Sequence, residues 1–474
     1  MARMDTTRPA KVINAYTSFF ASEPREPDIL GLFQSVAATV PAYQRFLAAA
    51  GVDPAAVRTM ADFQRLPFTT KDTYQRRYPL PQLCRDGRLD GCDMIALSSG
   101  SSGTPTIWPR DLGDELHIAD RFEQVFRDGF DAADVSTLAV VCFPLGTWVG
   151  GLFTTACVRH LAAKGYRITV AAPGNNKAEI LRVVPELAPH FDQVVLLGYP
   201  PFIKDVIDSG TWSWPIRMVF AGEVFSEEWR DLVAQRAGVT DPVRHMASLY
   251  GTADAGVLGN ETPQSVSIRR FLAGRPDLAR ELFGDSRLPT LAQYDPASRY
   301  FECVDGTLLF SGDNGVPLVR YHIADEGGLV SHPDLMDFCS RNGFTPVPGP
   351  SSPFVFVFGR SLFTVSFFGA NIYPENVTVG LEQPGISDWV TGRFVLETYE
   401  DSDRDRRLRV TVEQASDAAD PYVIAASIHS QLLRLNSEFA NYVPAGRQLP
   451  EVVLRPAGDP EYFPAGVKHR YTRG

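Results

Sequence analysis

Between residues 114 and 221 the chain alternates two apolar patterns, and this alternation restricts the fold more than any other feature. Asp114 can cap a helix whose stripe is Ile118, Phe122, Val125 and Phe126. Residues 138–143 are a run of apolar side chains, the pattern of a strand buried on both faces, and 168–172 are another. Asn176 and Glu179 open a helix in the manner of a capping box, with Ile180, Val183, Val184 and Leu187 on one face. Residues 194–197 and 216–221 read as strands again. Strand, helix and strand in this order predict an α/β fold with a mainly parallel sheet, helices on both faces and ligands at the strand C-terminal ends.

Upstream, residues 1 to about 90 read as a helical lead-in, because Ile29, Leu32, Phe33 and Val36, then Tyr43, Phe46 and Leu47, recur at helical spacing. The character changes near residue 355. A Pro-rich stretch, 345–353, leads into an apolar run, 354–358, and then Gly359-Arg360. Beyond it lies a small α/β unit. Leu408, Val410 and Val412 alternate with Arg409, Thr411 and Glu413, the pattern of a half-buried strand. Ile424, Ile428, Leu432 and Leu435 form a helix stripe, and 452–454 make a last strand. The expected division is a large domain, 1–358, and a small one, 359–474, for which 474 residues leave room.

A stretch of small residues interrupts the lead-in to this alternation. Ser98-Ser99-Gly100-Ser101-Ser102-Gly103-Thr104-Pro105-Thr106 sits between Met94-Ile95-Ala96-Leu97 and Ile107-Trp108. It reads as strand, loop, strand. Glycines let backbone N–H groups turn inward, and hydroxyls add donors that wrap an anion without bulk. No Gly-Lys-Ser/Thr ends the stretch, so it is not a Walker A loop. Alone it serves equally as a flexible Ser/Gly linker; its place between apolar segments favours a phosphate loop.

Composition excludes some partners. Lys and Arg number 45 against 56 Asp and Glu, a net charge of −11, and no basic run occurs. Nucleic acid and anionic membranes are therefore not expected partners. No signal-peptide pattern and no apolar run of about 18 residues is present, which predicts a cytoplasmic location. Cys84, Cys92, Cys142, Cys157, Cys303 and Cys339 form no CxxC pair, so reduced thiols are expected. His117, His245 and His322 have no partners at ligand spacing and read as structural.

Several motifs in fixed order resemble the adenylate-forming ligases, and in particular their phenylacetate–CoA ligase branch. There the loop reads Ser-Ser-Gly-Thr-Thr-Gly-Lys-Pro-Thr, with Thr104 here in the lysine's place, and Leu66-Pro67-Phe68-Thr69-Thr70-Lys71 is a phrase of that branch. The resemblance implies that Ser98 to Thr104 hold the phosphates of ATP. In Tyr250-Gly251-Thr252-Ala253-Asp254 it implies that Tyr250 stacks on adenine, with Gly251 and Thr252 beside it, and that Asp254 binds Mg²⁺. Asp254 is a methylene shorter than the family's glutamate, and Ala253 lacks the usual hydroxyl. Ala221-Gly222-Glu223-Val224 is similar to the adenine-side segment, which assigns Gly222 and Glu223 to the nucleotide. Arg320-Tyr321-His322-Ile323-Ala324-Asp325 implies that Asp325 accepts both ribose hydroxyls. Gly359-Arg360 and Gly369-Ala370-Asn371-Ile372-Tyr373-Pro374 resemble the family's hinge region, with Arg360 reaching ribose or phosphates; Leu362 and Phe363 replace its acids. The terminal motif implies a catalytic lysine, Lys468, one residue past the usual slot, which Val467 fills, on a small mobile lid domain. Phe143, Trp148, Gly150 and Tyr199 fall where the acid-binding pocket is implied.

The function this resemblance implies is ATP- and Mg²⁺-dependent activation of a small-molecule carboxylic acid, aryl or arylalkyl, as its acyl-adenylate. Pyrophosphate leaves, and the acyl group passes to coenzyme A. Both adenylation reactants are anions, so phosphate-holding groups and cations are needed to bring them together. Two alternatives stay open on sequence: transfer to another nucleophile (an amine, a carrier-protein thiol or a small nitrogen species), and a degenerate nucleotide-binding sensor or scaffold. The sequence leaves the choice between monomer and homodimer open.

Overall fold

The structure is a computed structural model that describes residues 8–21, 27–98, 106–360, 364–463 and 471–473. Its centre is a mixed sheet of eleven strands. From one edge it runs Ile168–Ala171, Thr137–Val141, Gln193–Gly198, Ile216–Ala221 and Met246–Thr252, all parallel. It continues antiparallel through Gly256–Asn260, Thr290–Gln293, Phe354–Arg360, Leu318–Val330, Thr307–Gly312 and Tyr300–Val304.

The parallel half is the alternating region read from sequence. Its strands are apolar on both faces because helices cover both. Leu138, Val140, Val194, Leu196, Met218 and Phe220 enter one core with Ile180 and Val184, Phe202 and Ile203, and Trp229 and Val233 from three helices. The alternate residues Ala139, Val141, Val195, Leu197 and Val219 enter a second core with Ile118 and Phe122, and Phe153 and Cys157. The antiparallel half was not legible as such. There short turns replace crossover helices: Asp305 and Gly306, at φ 50° and 74°, join Tyr300–Val304 to Thr307–Gly312 as a hairpin.

One helix start differs from the sequence reading. Asp111, not Asp114, caps Leu112–Gln124, accepting the Asp114 N–H. Asp114 is drawn inward instead, between Arg110 at 3.1 Å and Arg299, all three buried. The start at Asn176 is as expected: its side chain accepts the Glu179 N–H at 3.1 Å. Glu179 does not reach back to close the box, because it pairs with Arg182.

The C-terminal unit has its own sheet, in the order Glu451–Arg455, Arg406–Gln414, Val390–Glu400, Thr472–Arg473. Helix Pro421–Leu435 packs Ile424, Ile428 and Leu432 onto it. Thr472–Arg473 pairs parallel with Val390–Glu400, and Phe463 is fully buried. The unit docks on the large sheet's helices through an acidic loop. Lys204, 1% exposed, meets Asp208 at 2.8 Å and Asp405 at 2.6 Å, and Arg236 pairs with Asp208 and Asp403. Burial opposes the Lys204 charge, but these carboxylates prevail and raise its pKa. No helix among the described residues is long and apolar enough to cross a membrane.

Candidate active site

A cavity of about 1600 Å³ opens where the parallel strands end and the C-terminal unit begins. Ser98, Phe143, Gly150, Tyr199, Gly222, Glu223, Tyr250, Gly251, Thr252, Asp254 and Asp325 all line it. The position follows from topology, since loops leaving the C-terminal ends of parallel strands converge on one side of a sheet.

At its centre two motifs exchange partners. Each carries a tyrosine four residues before an aspartate: Tyr250 and Asp254, Tyr321 and Asp325. The Tyr250 hydroxyl donates to Asp325 Oδ2 at 2.7 Å, and the Tyr321 hydroxyl donates to Asp254 Oδ2 at 2.6 Å. All four side chains are buried. Each bond is charge-assisted and short, and each fixes a carboxylate rotamer. Tyr250 is thus tied through its hydroxyl and offers the cavity its ring.

The backbone around Asp254 is held from behind. Arg110 donates to the Ala253 carbonyl, and Arg299 to the Ala255 carbonyl at 3.1 Å, both guanidiniums being neutralised by Asp114. Lys71 approaches from the other side, its ammonium 3.2 Å from Asp254 Oδ1. Sequence reading noted Lys71 only as part of a phrase. What aims it is local: Thr69 N–H donates to the Arg320 carbonyl, His322 N–H donates to the Thr69 carbonyl, and the Thr69 hydroxyl donates to the Val319 carbonyl. Arg320 itself is structural. It sits at φ 46°, pairs with Glu302 at 3.0 Å and donates to the Leu66 carbonyl.

The residues implied for the nucleotide are partly among those described. Ser98 ends strand Met94–Ser98, which pairs with Thr106–Arg110 as the strand–loop–strand reading expects, and its hydroxyl accepts from Trp108 Nε1 at 3.1 Å. Residues Ser99, Gly100, Ser101, Ser102, Gly103 and Thr104 lie outside the described residues. So do Leu362, Phe363, Val467 and Lys468, and the side chain of Arg360. Glu223 accepts the Gly369 N–H at 2.7 Å, and Arg406 lies 3.6 Å away. Burial raises the Glu223 pKa against the pull of both partners.

The acid-pocket residues divide. Phe143 and Tyr199 meet edge to face at 5.0 Å, and Gly150 lies beside them. Trp148 stands behind the wall, its ring edge-on to Tyr442 at 5.1 Å, because it precedes helix Val149–Lys164 and faces the C-terminal unit. Tyr442 and Glu438, which also line the cavity, carry no signal in the sequence beyond their helix. Phe122, Phe153, Leu249 and Val257 add apolar side chains to the lining. Burial raises the Tyr199 and Tyr442 phenol pKa values, so both remain protonated.

A large mixed sheet flanked by helices, with a smaller sheet unit after it, matches the fold of the adenylate-forming class of ligase. No family model matches the chain. The phenylacetate–coenzyme A ligase of Thermus thermophilus is 34% identical over 347 residues, 71% of this chain and 70% of that one. The chain belongs to the phenylacetate–CoA ligase family and is an AMP-forming acid–thiol ligase in type. Its fold is similar to 2-hydroxyisobutyryl-CoA ligase in complex with 2-HIB-AMP and CoA, with a TM-score of 0.61 at 17% identity, covering 94% of this chain and 88% of that one. Against the same ligase in its postadenylation state with 2-HIB-AMP the TM-score is 0.51 at 15% identity, over 95% and 90%.

Proposed function

We propose that this ligase activates an aryl or arylalkyl carboxylic acid with ATP as its acyl-adenylate, releases pyrophosphate and transfers the acyl group to coenzyme A. The observation that carries the reading is the crossed Tyr–Asp pairs, whose Tyr250, Asp254 and Asp325 line one cavity together with apolar and aromatic side chains. Asp325 serves the ribose, and the Tyr250 ring the adenine. Asp254 suits Mg²⁺ by its chemistry: a hard oxygen donor, one oxygen fixed by Tyr321 and the other turned to a cation, Lys71. Bound there, the ion would neutralise phosphate charge, and phosphate oxygens and water would complete its shell.

The aromatic lining favours a flat acyl group. Phe122, Phe143 and Phe153 supply apolar faces, and Gly150 leaves space beside them. Residues 359–474 form the lid domain in this reading, and Lys468 supplies positive charge between carboxylate and α-phosphate.

The test is acid-dependent ATP–pyrophosphate exchange, then thioester formation, across aryl, arylalkyl and short alkyl acids. Exchange with aryl acids and a CoA thioester as product are expected. ATP binding without exchange for any acid would overturn the reading in favour of a nucleotide sensor. Exchange without a thioester would move the transfer step to another acceptor.

A further inference from the structure

We infer that the C-terminal unit completes the acid-binding pocket through Tyr442, so that this unit helps to decide which acid is accepted. The inference rests on the reading of the cavity as an acyl-binding site.

Tyr199 is the hinge of the argument. It belongs to the large sheet, directly after strand Gln193–Gly198. Its ring lies against two glycines, one from each part of the chain. A Cβ on Gly222 would come within 2.9 Å of the ring, and one on Gly369 within 2.3 Å. Both glycines have positive φ, 87° and 80°, so a side chain at either would be strained as well as obstructed. The ring therefore fills a slot that exists only because both positions lack side chains.

Tyr442 closes that slot. Its ring stacks on Tyr199 at 5.5 Å, with an interplanar angle of 29°, and meets Trp148 edge-on. Tyr442 is 6% exposed although its helix, Ser437–Tyr442, has only six residues. Its placement comes from contacts at both ends of that helix. Glu438 accepts the Asn371 N–H at 3.0 Å and its side-chain amide at 3.3 Å. Asn175, from the large sheet's side, donates to the Asn441 carbonyl at 2.6 Å. Asn371 is two residues from Gly369, whose N–H is held by Glu223. The helix is thereby tied to both parts, and Tyr442 is held over Tyr199.

An acyl group lying along Phe143 and Tyr199 meets a wall whose back is Tyr442. Removing that back lets the Tyr199 ring retreat and lengthens the pocket. Tyr442 is then a specificity-determining residue.

The test uses the full chain with Tyr442→Ala and Tyr442→Phe. The substrates are benzoate, phenylacetate, 3-phenylpropionate and 4-phenylbutyrate, and KM and kcat are read for each. The alanine variant is expected to shift the ratio of kcat/KM between the longest and shortest acid by roughly tenfold, in favour of the longer, with KM for ATP unchanged. The phenylalanine variant is expected to restore most of the original ranking. If the alanine variant does not fold, Tyr442→Leu, which keeps apolar volume without the aromatic face, supplies the same readout. An active wild type whose ranking survives these changes overturns the inference alone. A wild type inactive on every acid overturns the functional reading, and the inference with it.

Discussion

Tyr321→Phe removes one hydroxyl and little else, which makes it a clean probe of the crossed pairs. The ring keeps its edge-on contacts with Trp108 at 6.4 Å and Phe310 at 5.7 Å. What is lost is a 2.6 Å hydrogen bond to a carboxylate 4% exposed. A bond to a charged acceptor contributes about 1.5–3 kcal/mol, and leaving a buried carboxylate oxygen without a donor pushes towards the upper half of that range. Water entering from the cavity recovers part of it, since Asp254 lines the wall. The expected loss is about 2 kcal/mol, read as a lower urea midpoint at unchanged m-value. The same bond fixes the Asp254 rotamer, so the Mg²⁺ concentration for half-maximal pyrophosphate exchange should rise about tenfold, equivalent to roughly 1.4 kcal/mol. A urea midpoint equal to wild type would refute the energetic argument. Full destabilisation with an unchanged Mg²⁺ requirement would refute the role given to Asp254.

Other perturbations separate other features. Lys204→Met takes a cation from the acidic docking loop; its cost should fall between the roughly 0–1 kcal/mol of an exposed pair and the 3–5 kcal/mol of a broken buried one, about 2 kcal/mol, with a stability less sensitive to salt than wild type. Equal salt dependence in the two proteins would argue against a role for these ion pairs in docking the C-terminal unit. Lys468→Ala should lower exchange by roughly 10²–10³ while ATP binding, by calorimetry, is retained; undiminished exchange would remove the role. His245, where burial lowers the pKa to about 4, is held neutral, so the stability it contributes is present above its ordinary pKa and lost as pH falls towards 4. His245→Gln should flatten the urea midpoint between pH 7 and pH 4, and an unchanged slope would point to other groups.

The parallel half of the sheet was readable because burial on both faces leaves continuous apolar runs such as 138–141, whose alternate residues enter two cores. The antiparallel half was not, because its strands carry buried polar residues such as Arg320 and Asp325 among apolar ones. The family resemblance implied that Tyr250, Asp254 and Asp325 share a site, and all three line one cavity. It did not reveal that the tyrosines and aspartates bond crosswise, since a four-residue spacing within each motif carries no information about pairing between motifs. Lys71 and Tyr442 were missed for a related reason: each reaches the site through backbone contacts made far away in sequence, at Thr69 with His322 and at Asn175 with Asn441. Asp114 was misread because two aspartates stand near one helix start, and only the buried Arg110 and Arg299 distinguish them.

The contact between Trp148 and Tyr442 spans the two parts of the chain, and this gives the protein an optical reporter without labelling. Indole emission depends on the polarity and the quenching groups around the ring, and Trp148 is only partly buried, with the phenol of Tyr442, from the C-terminal unit, 5.1 Å away. Trp108 and Trp229, at 1% and 3% exposure, are enclosed within the large part and contribute a steady background. The difference in emission between wild type and Trp148→Phe isolates the contribution of Trp148 from that of the other tryptophans. Followed in a stopped-flow instrument after mixing with ATP, acid or coenzyme A, that difference would report any change at the contact between Trp148 and Tyr442 within a single turnover.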